Sequence, residues 1–166
     1  IPHVILEAAR KVALLFVSLG EAMALTGKSA KEEVLAALEE CGAGEMIVKL
    51  GADGCLIREP RGWCAVPPFA VSAVDTTGAG DAFAAAYLRA RLRGWPAKDA
   101  ALLANAAGAA ATAVMGAGEN MPAPETVLQL LNGRLLSGDM EQVRQRVVRN
   151  LQRELQPAES AGASGG

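Results

Sequence analysis

The sequence is short of the residues that most metal, redox and thiol chemistry needs. It has one histidine, His3, and three cysteines, Cys41, Cys55 and Cys64, with no metal-ligand spacing among them. The cysteines read as buried or incidental thiols of a reducing compartment, which points to the cytoplasm. Aromatic residues make up only 4% of the chain, which favours helices packed closely through alanine over aromatic-rich sandwiched strands. No apolar run approaches the roughly 20 residues that a membrane-spanning helix requires, and no signal peptide is visible. A net charge of −2 gives no electrostatic ground for nucleic acid binding.

What is present is a chain of 166 residues, 51% of them apolar, about one domain with a sizeable core. The first residue is Ile1 and a structural pattern is under way by Val4. The chain therefore reads as a piece of something longer, or as processed.

Strands are expected at 12–17, 45–50, 55–58 and 63–66, the third following the second closely enough to be antiparallel. A short helical turn at 21–27 closes on Gly27. Ser29 and Glu32 have capping-box spacing and should open a helix to about Glu40, ended by Gly42 and Gly44. Further helices are expected at 81–93, from Trp95-Pro96 to about Met115, at 125–131 and at 139–155. The last has Met140, Val143, Val147, Val148, Leu151 and Leu155 on one face, suited to packing on its own domain. Residues 157–166 are small and polar, so a disordered tail is expected. Strands alternating with helices argue an α/β layered fold with a largely parallel sheet, whose ligands bind beyond the carboxyl ends of the strands.

Two glycine motifs fail. Thr26-Gly27-Lys28-Ser29 imitates the end of a P-loop, but position 22 is Ala22 where a glycine is required. A dinucleotide fingerprint starting at Gly78 fails at Phe83. The informative run is Val74-Asp75-Thr76-Thr77-Gly78-Ala79-Gly80-Asp81-Ala82-Phe83. A small-residue turn before an apolar helical pattern leaves backbone N–H groups unpaired at a helix N-terminus, a ready anion site. Asp81 sits at its mouth, where a carboxylate can take a proton from an attacking hydroxyl.

This run resembles the signature of ribokinase-like sugar kinases, also called the phosphofructokinase-B family. The likeness extends to Glu21 through Leu25-Thr26-Gly27, to Val48-Lys49-Leu50-Gly51-Ala52-Asp53-Gly54, to Asn105-Ala106-Ala107-Gly108 and to the loop from Gly116 to Pro122. It covers about residues 4–132. The resemblance implies a three-layer ribokinase-like fold lacking its N-terminal half. It divides the chain into a nucleotide-binding part at 1–132, an amphipathic helical extension at 133–156 and the tail at 157–166.

It also implies ATP-dependent phosphorylation of a small sugar or sugar acid, with Mg2+ and, in some members, K+. Asp81 would be the general base, and the backbone of Gly78, Ala79 and Gly80 the anion hole. Lys49, Gly51, Gly54 and Asn105 match nucleotide-binding positions, and Glu21 matches a residue that orders magnesium water and phosphate. Asp75 and Thr77 match positions that hold the monovalent cation. A homodimer of the intact protein is compatible, because family dimers often use the lid strands not found here. The chain departs from the family at Ser18, where the family has asparagine, and at Lys49, where threonine is commonest. Two alternatives stand beside the sugar kinase: a truncated or degenerate ATP-binding fragment without catalysis, and a nucleoside kinase of the same fold.

Overall fold

A computed structural model describes residues 2–116 and 121–156. The tail expected at 157–166 and part of the loop between Gly116 and Pro122 lie outside the described residues. The order of elements is α1 (Pro2–Ala9), β1 (Leu14–Ser18), α2 (Leu19–Thr26), α3 (Lys31–Cys41), β2 (Glu45–Lys49), a 3-10 turn (Gly51–Asp53), β3 (Cys55–Glu59), β4 (Gly62–Val66), α4 (Ala79–Leu92), α5 (Ala97–Thr112), α6 (Pro124–Asn132) and α7 (Asp139–Leu155).

The four strands lie side by side in sequence order. Only β1 and β2 run parallel, linked by α2 and α3, while β2–β3 and β3–β4 are antiparallel. The sheet described is thus mixed rather than largely parallel. Short turns, not helical crossovers, connect its last three strands, and a tight turn forces antiparallel pairing.

Strand periodicity divides the core in two. On β2, Ile47 joins one apolar cluster with Cys55, Ile57 and the helices α4 to α7, while Met46 and Val48 join the other with Val34, Leu35 and Leu38 of α3. Alternate side chains of one strand point to opposite faces, so the sheet is covered on both and the fold has three layers. Phe16 of β1 packs edge-on to Phe83 and Tyr87 of α4, with ring centroids 6.1 and 5.3 Å away. Glu45 at the start of β2 accepts from the Tyr87 hydroxyl and pairs with Arg91 at 3.1 Å, tying α4 to the sheet. α5 is almost wholly buried, and its alanines allow close approach: a Cβ on Gly108 would lie 3.2 Å from the Ala79 carbonyl oxygen.

The helix starts differ from expectation in one instructive place. α3 begins at Lys31 with Ala30 as its N-cap and no side-chain cap, so Ser29 stands one residue too early to cap it. The capping box belongs to α2 instead. Ser18 Oγ accepts from the Glu21 N–H, and the Glu21 carboxylate accepts from the Ser18 N–H at 2.6 Å. Gly27 ends α2 in the left-handed conformation, as the failed P-loop match suggests.

Candidate phosphate and nucleotide site

The carboxyl end of β2, the loop after β4 and the start of α4 converge beyond the edge of the sheet. Between them lies a cavity of about 480 Å³, lined by Lys49, Gly51, Gly54, Ala79, Gly80 and Asn105 among others. Six of the residues singled out in the sequence therefore share one pocket. Thr76, Phe83 and Thr112 also line it and were not singled out as ligands.

The start of α4 has the layout of an anion site. Gly78 is its N-cap at φ 79°, a left-handed conformation that glycine adopts without strain. Ala79 N–H donates to the Thr76 carbonyl at 3.3 Å and Ala82 N–H to the Gly78 carbonyl at 2.9 Å. The N–H groups of Gly80 and Asp81 between them have no protein acceptor among the described residues. Of the Gly78, Ala79 and Gly80 set only the Ala79 N–H is spent within the described residues, the Gly78 N–H having no acceptor there either, and the Asp81 N–H is a further donor that the sequence reading did not name. Counting from the N-cap would have found it, since the first N–H groups of a helix lack internal partners. The Asp81 side chain is exposed in the same first turn, outside the pocket lining.

Lys49 ends β2 and is half-buried. Its Nζ lies 3.2 Å from the place a Cβ on Gly80 would take. It therefore points over the start of α4 rather than into solvent. Glu21, on α2, feels the Lys49 charge. Its carboxyl is held below its ordinary value chiefly by the Ser18 N–H, then by the Ser18 hydroxyl, with Lys49 adding to both.

Gly54 and Asn105 do structural work in the pocket wall. At Gly54, φ is +87°, and a Cβ would collide with the Val66 carbonyl oxygen and sit 2.9 Å from the Pro68 nitrogen. Asn105 is buried on α5, and its amide donates to the carbonyls of Val66 and Pro67 at 3.1 and 3.0 Å. Both residues hold the exit of β4 against the pocket. Burial pushes the neighbouring Cys55 thiol up to about 12, with the Asn105 hydrogen bond opposing the shift. That thiol is inert at neutral pH.

Asp75 organises the loop before α4. One carboxylate oxygen accepts from the Thr77 N–H at 2.9 Å and from the Thr77 hydroxyl at 2.7 Å. The other accepts from the Gly116 N–H at 2.9 Å. These donors, the Thr77 N–H foremost, hold the carboxyl below its ordinary value. Three of a carboxylate's roughly four lone-pair sites are then occupied, leaving room for one more ligand. Among the described residues no group of three or more His, Cys, Asp or Glu side chains could hold a metal ion by itself.

A three-layer fold with strand-end glycine turns facing a helix N-terminus across one cavity is a ribokinase-like arrangement. The chain belongs to the pfkB family of carbohydrate kinases, whose pattern its residues 1–124 match. It is 41% identical over 90 residues to the 2-dehydro-3-deoxygluconokinase of Escherichia coli, covering 52% of this chain and 29% of that enzyme. It is 35% identical over 148 residues to the aminoimidazole riboside kinase of Salmonella typhimurium, covering 84% and 46%. Among solved structures, a ribokinase from Thermotoga maritima aligns with a TM-score of 0.67 at 33% identity, over 72% of this chain and 42% of its own. A fructokinase from Vibrio cholerae, solved with fructose, ADP and calcium, aligns with a TM-score of 0.72 at 31% identity, over 78% and 44%. The chain spans less than half the length of these relatives.

Proposed function

We propose that this chain is the nucleotide-binding part of a kinase that moves the γ-phosphoryl group of ATP to a hydroxyl of a small sugar or sugar acid. The observation that carries the reading is the first turn of α4: two N–H groups without protein acceptors beside a pocket, and the Asp81 carboxylate in the same turn. Phosphoryl transfer asks little of a protein beyond positioning and charge stabilisation. The free N–H groups and the positive helix end would hold the transferred group. Gly78 supplies the bend that aims them. Asp81 stands in the same turn, where its carboxylate would take the proton of the attacking hydroxyl. The hydroxyl oxygen bonds to phosphorus, ADP leaves, and the hydroxyl proton passes to Asp81.

Gly51, Gly54 and Asn105 would shape the wall along which the nucleotide lies, with Lys49 at its phosphate end. Mg2+ would be held mainly by the phosphates, with Glu21 ordering its water, because no acidic cluster among the described residues could hold it alone. The ion would spread charge on the phosphates. Asp75 and Thr77 would hold a monovalent cation through the remaining carboxylate lone pair and the Thr77 hydroxyl oxygen.

In a form of the chain that phosphorylates a sugar, Asp81→Asn is expected to lower kcat by about 10²–10⁴-fold while MgATP affinity stays within about twofold. Near-normal turnover would overturn the assignment. The span of less than half of the relatives supports a second reading, an ATP-binding fragment without catalysis. It expects MgATP binding with no phosphorylation in a panel of sugars, sugar acids and nucleosides. Phosphorylation of nucleosides alone would favour the nucleoside kinase, and a riboside kinase is among the relatives.

A further inference from the structure

We infer that Lys49 is the residue that distinguishes a nucleoside triphosphate from a diphosphate in this pocket, and that Gly80 leaves the space in which its ammonium group sits; this rests on the kinase reading above. Lys49 is the last residue of β2 and is paired in register with Ser18 of β1, so its backbone is fixed by the sheet. The side chain is half-buried, and its Nζ stands 3.2 Å from where a Cβ on Gly80 would be. Gly80 and Asp81 are the two residues in the first turn of α4 whose N–H groups have no protein acceptor among the described residues. An anion accepting those two N–H groups therefore lies against the ammonium. Charge-assisted hydrogen bonds of that kind are about twice as strong as neutral ones.

Asp81 stands in the same helical turn, so the anion held there is the group that Asp81 would help transfer, the terminal phosphate. A diphosphate in the same pocket has no phosphate at that place and gains nothing from Lys49. Glu21 of α2 feels the same lysine charge.

The test is calorimetric titration of the 166-residue chain with MgATP and MgADP, for the wild type, Lys49→Met, Lys49→Arg, Gly80→Ala and the Lys49→Met/Gly80→Ala double variant. Lys49→Met is expected to weaken MgATP by about tenfold and leave MgADP within about twofold. Lys49→Arg is expected to keep most of the preference. Gly80→Ala is expected to weaken MgATP in the wild-type background and to have no effect when Lys49 is Met, the non-additivity of residues in contact. Equal losses for both nucleotides, or no loss, would overturn the role of Lys49 while leaving nucleotide binding in place. A wild-type chain that binds neither nucleotide would overturn the kinase reading and this inference together.

Discussion

Ser18 serves two elements at once. It is the last residue of β1 and the N-cap of α2, and it exchanges two hydrogen bonds with Glu21. Serine and asparagine cap helices about equally well, so the departure from the family's asparagine keeps the helix start intact. Ser18→Ala is expected to cost about 1 kcal/mol in urea unfolding, and Ser18→Asn less than about 0.5 kcal/mol. Spacing pointed to a capping box at Ser29, the same spacing at Ser18 and Glu21 went unread, and only the backbone decides which serine precedes a helix. Gly54 is legible as a glycine at a strand end, but its reason is remote: the β4 exit at Val66 and Pro68 occupies the space of its missing side chain. Gly54→Ala is expected to destabilise the fold by more than about 2 kcal/mol, since both the left-handed backbone and the contact oppose a Cβ. Equal urea midpoints for Gly54→Ala and wild type would refute that packing role.

At the scale of elements, α7 was the easiest to read, because a long amphipathic pattern needs no knowledge of its neighbours. Its bounds match expectation, and Val143, Val147 and Leu151 are buried against α5 and α6. The pattern could not show what the arginines do. Arg146 makes two hydrogen bonds, at 2.9 and 2.8 Å, to Asp99 in the first turn of α5, and that carboxylate is 0% exposed. Removing Arg146 strands a buried charge. Because the arginine is itself 43% exposed, Arg146→Ala is expected to cost about 2 kcal/mol rather than the full penalty of a buried pair, measured by urea unfolding.

Glu141 offers a pH test on the same helix. Arg144 first, and then the Leu136 N–H, hold its carboxyl down at about 2 against an ordinary value of 4.5. A lowered value means that the ionised form stabilises the fold. That contribution is full above about pH 4.5 and is lost as pH falls towards 2. The thermal midpoints of wild type and Glu141→Gln are expected to differ at pH 6 and to converge on acidification. A gap that stays constant down to pH 2.5 would refute the linkage.

For the whole molecule, the sheet is the frame that brings distant segments to one pocket. The α/β layering and the glycine turn before α4 were legible because each rests on local spacing. The mixed sheet followed from short turns after β2 and β3, and the family likeness carried the positions of Lys49 and Asn105. Neither spacing nor likeness could show that Asn105 spends its amide on the β4 exit, or that Lys49 leans over Gly80, because those contacts join residues far apart in the chain. If the pocket takes a nucleotide, binding must stabilise the fold by linkage, by about 2.7 kcal/mol at a hundredfold excess over Kd. The amide signals of the isotopically labelled chain, followed as MgATP is added, report the position of the phosphates directly. The largest shifts should fall on Gly78, Gly80 and Asp81, with a second set at Gly51 and Gly54. Saturable binding whose shifts leave the start of α4 untouched, or no binding at all, would contradict the phosphate site.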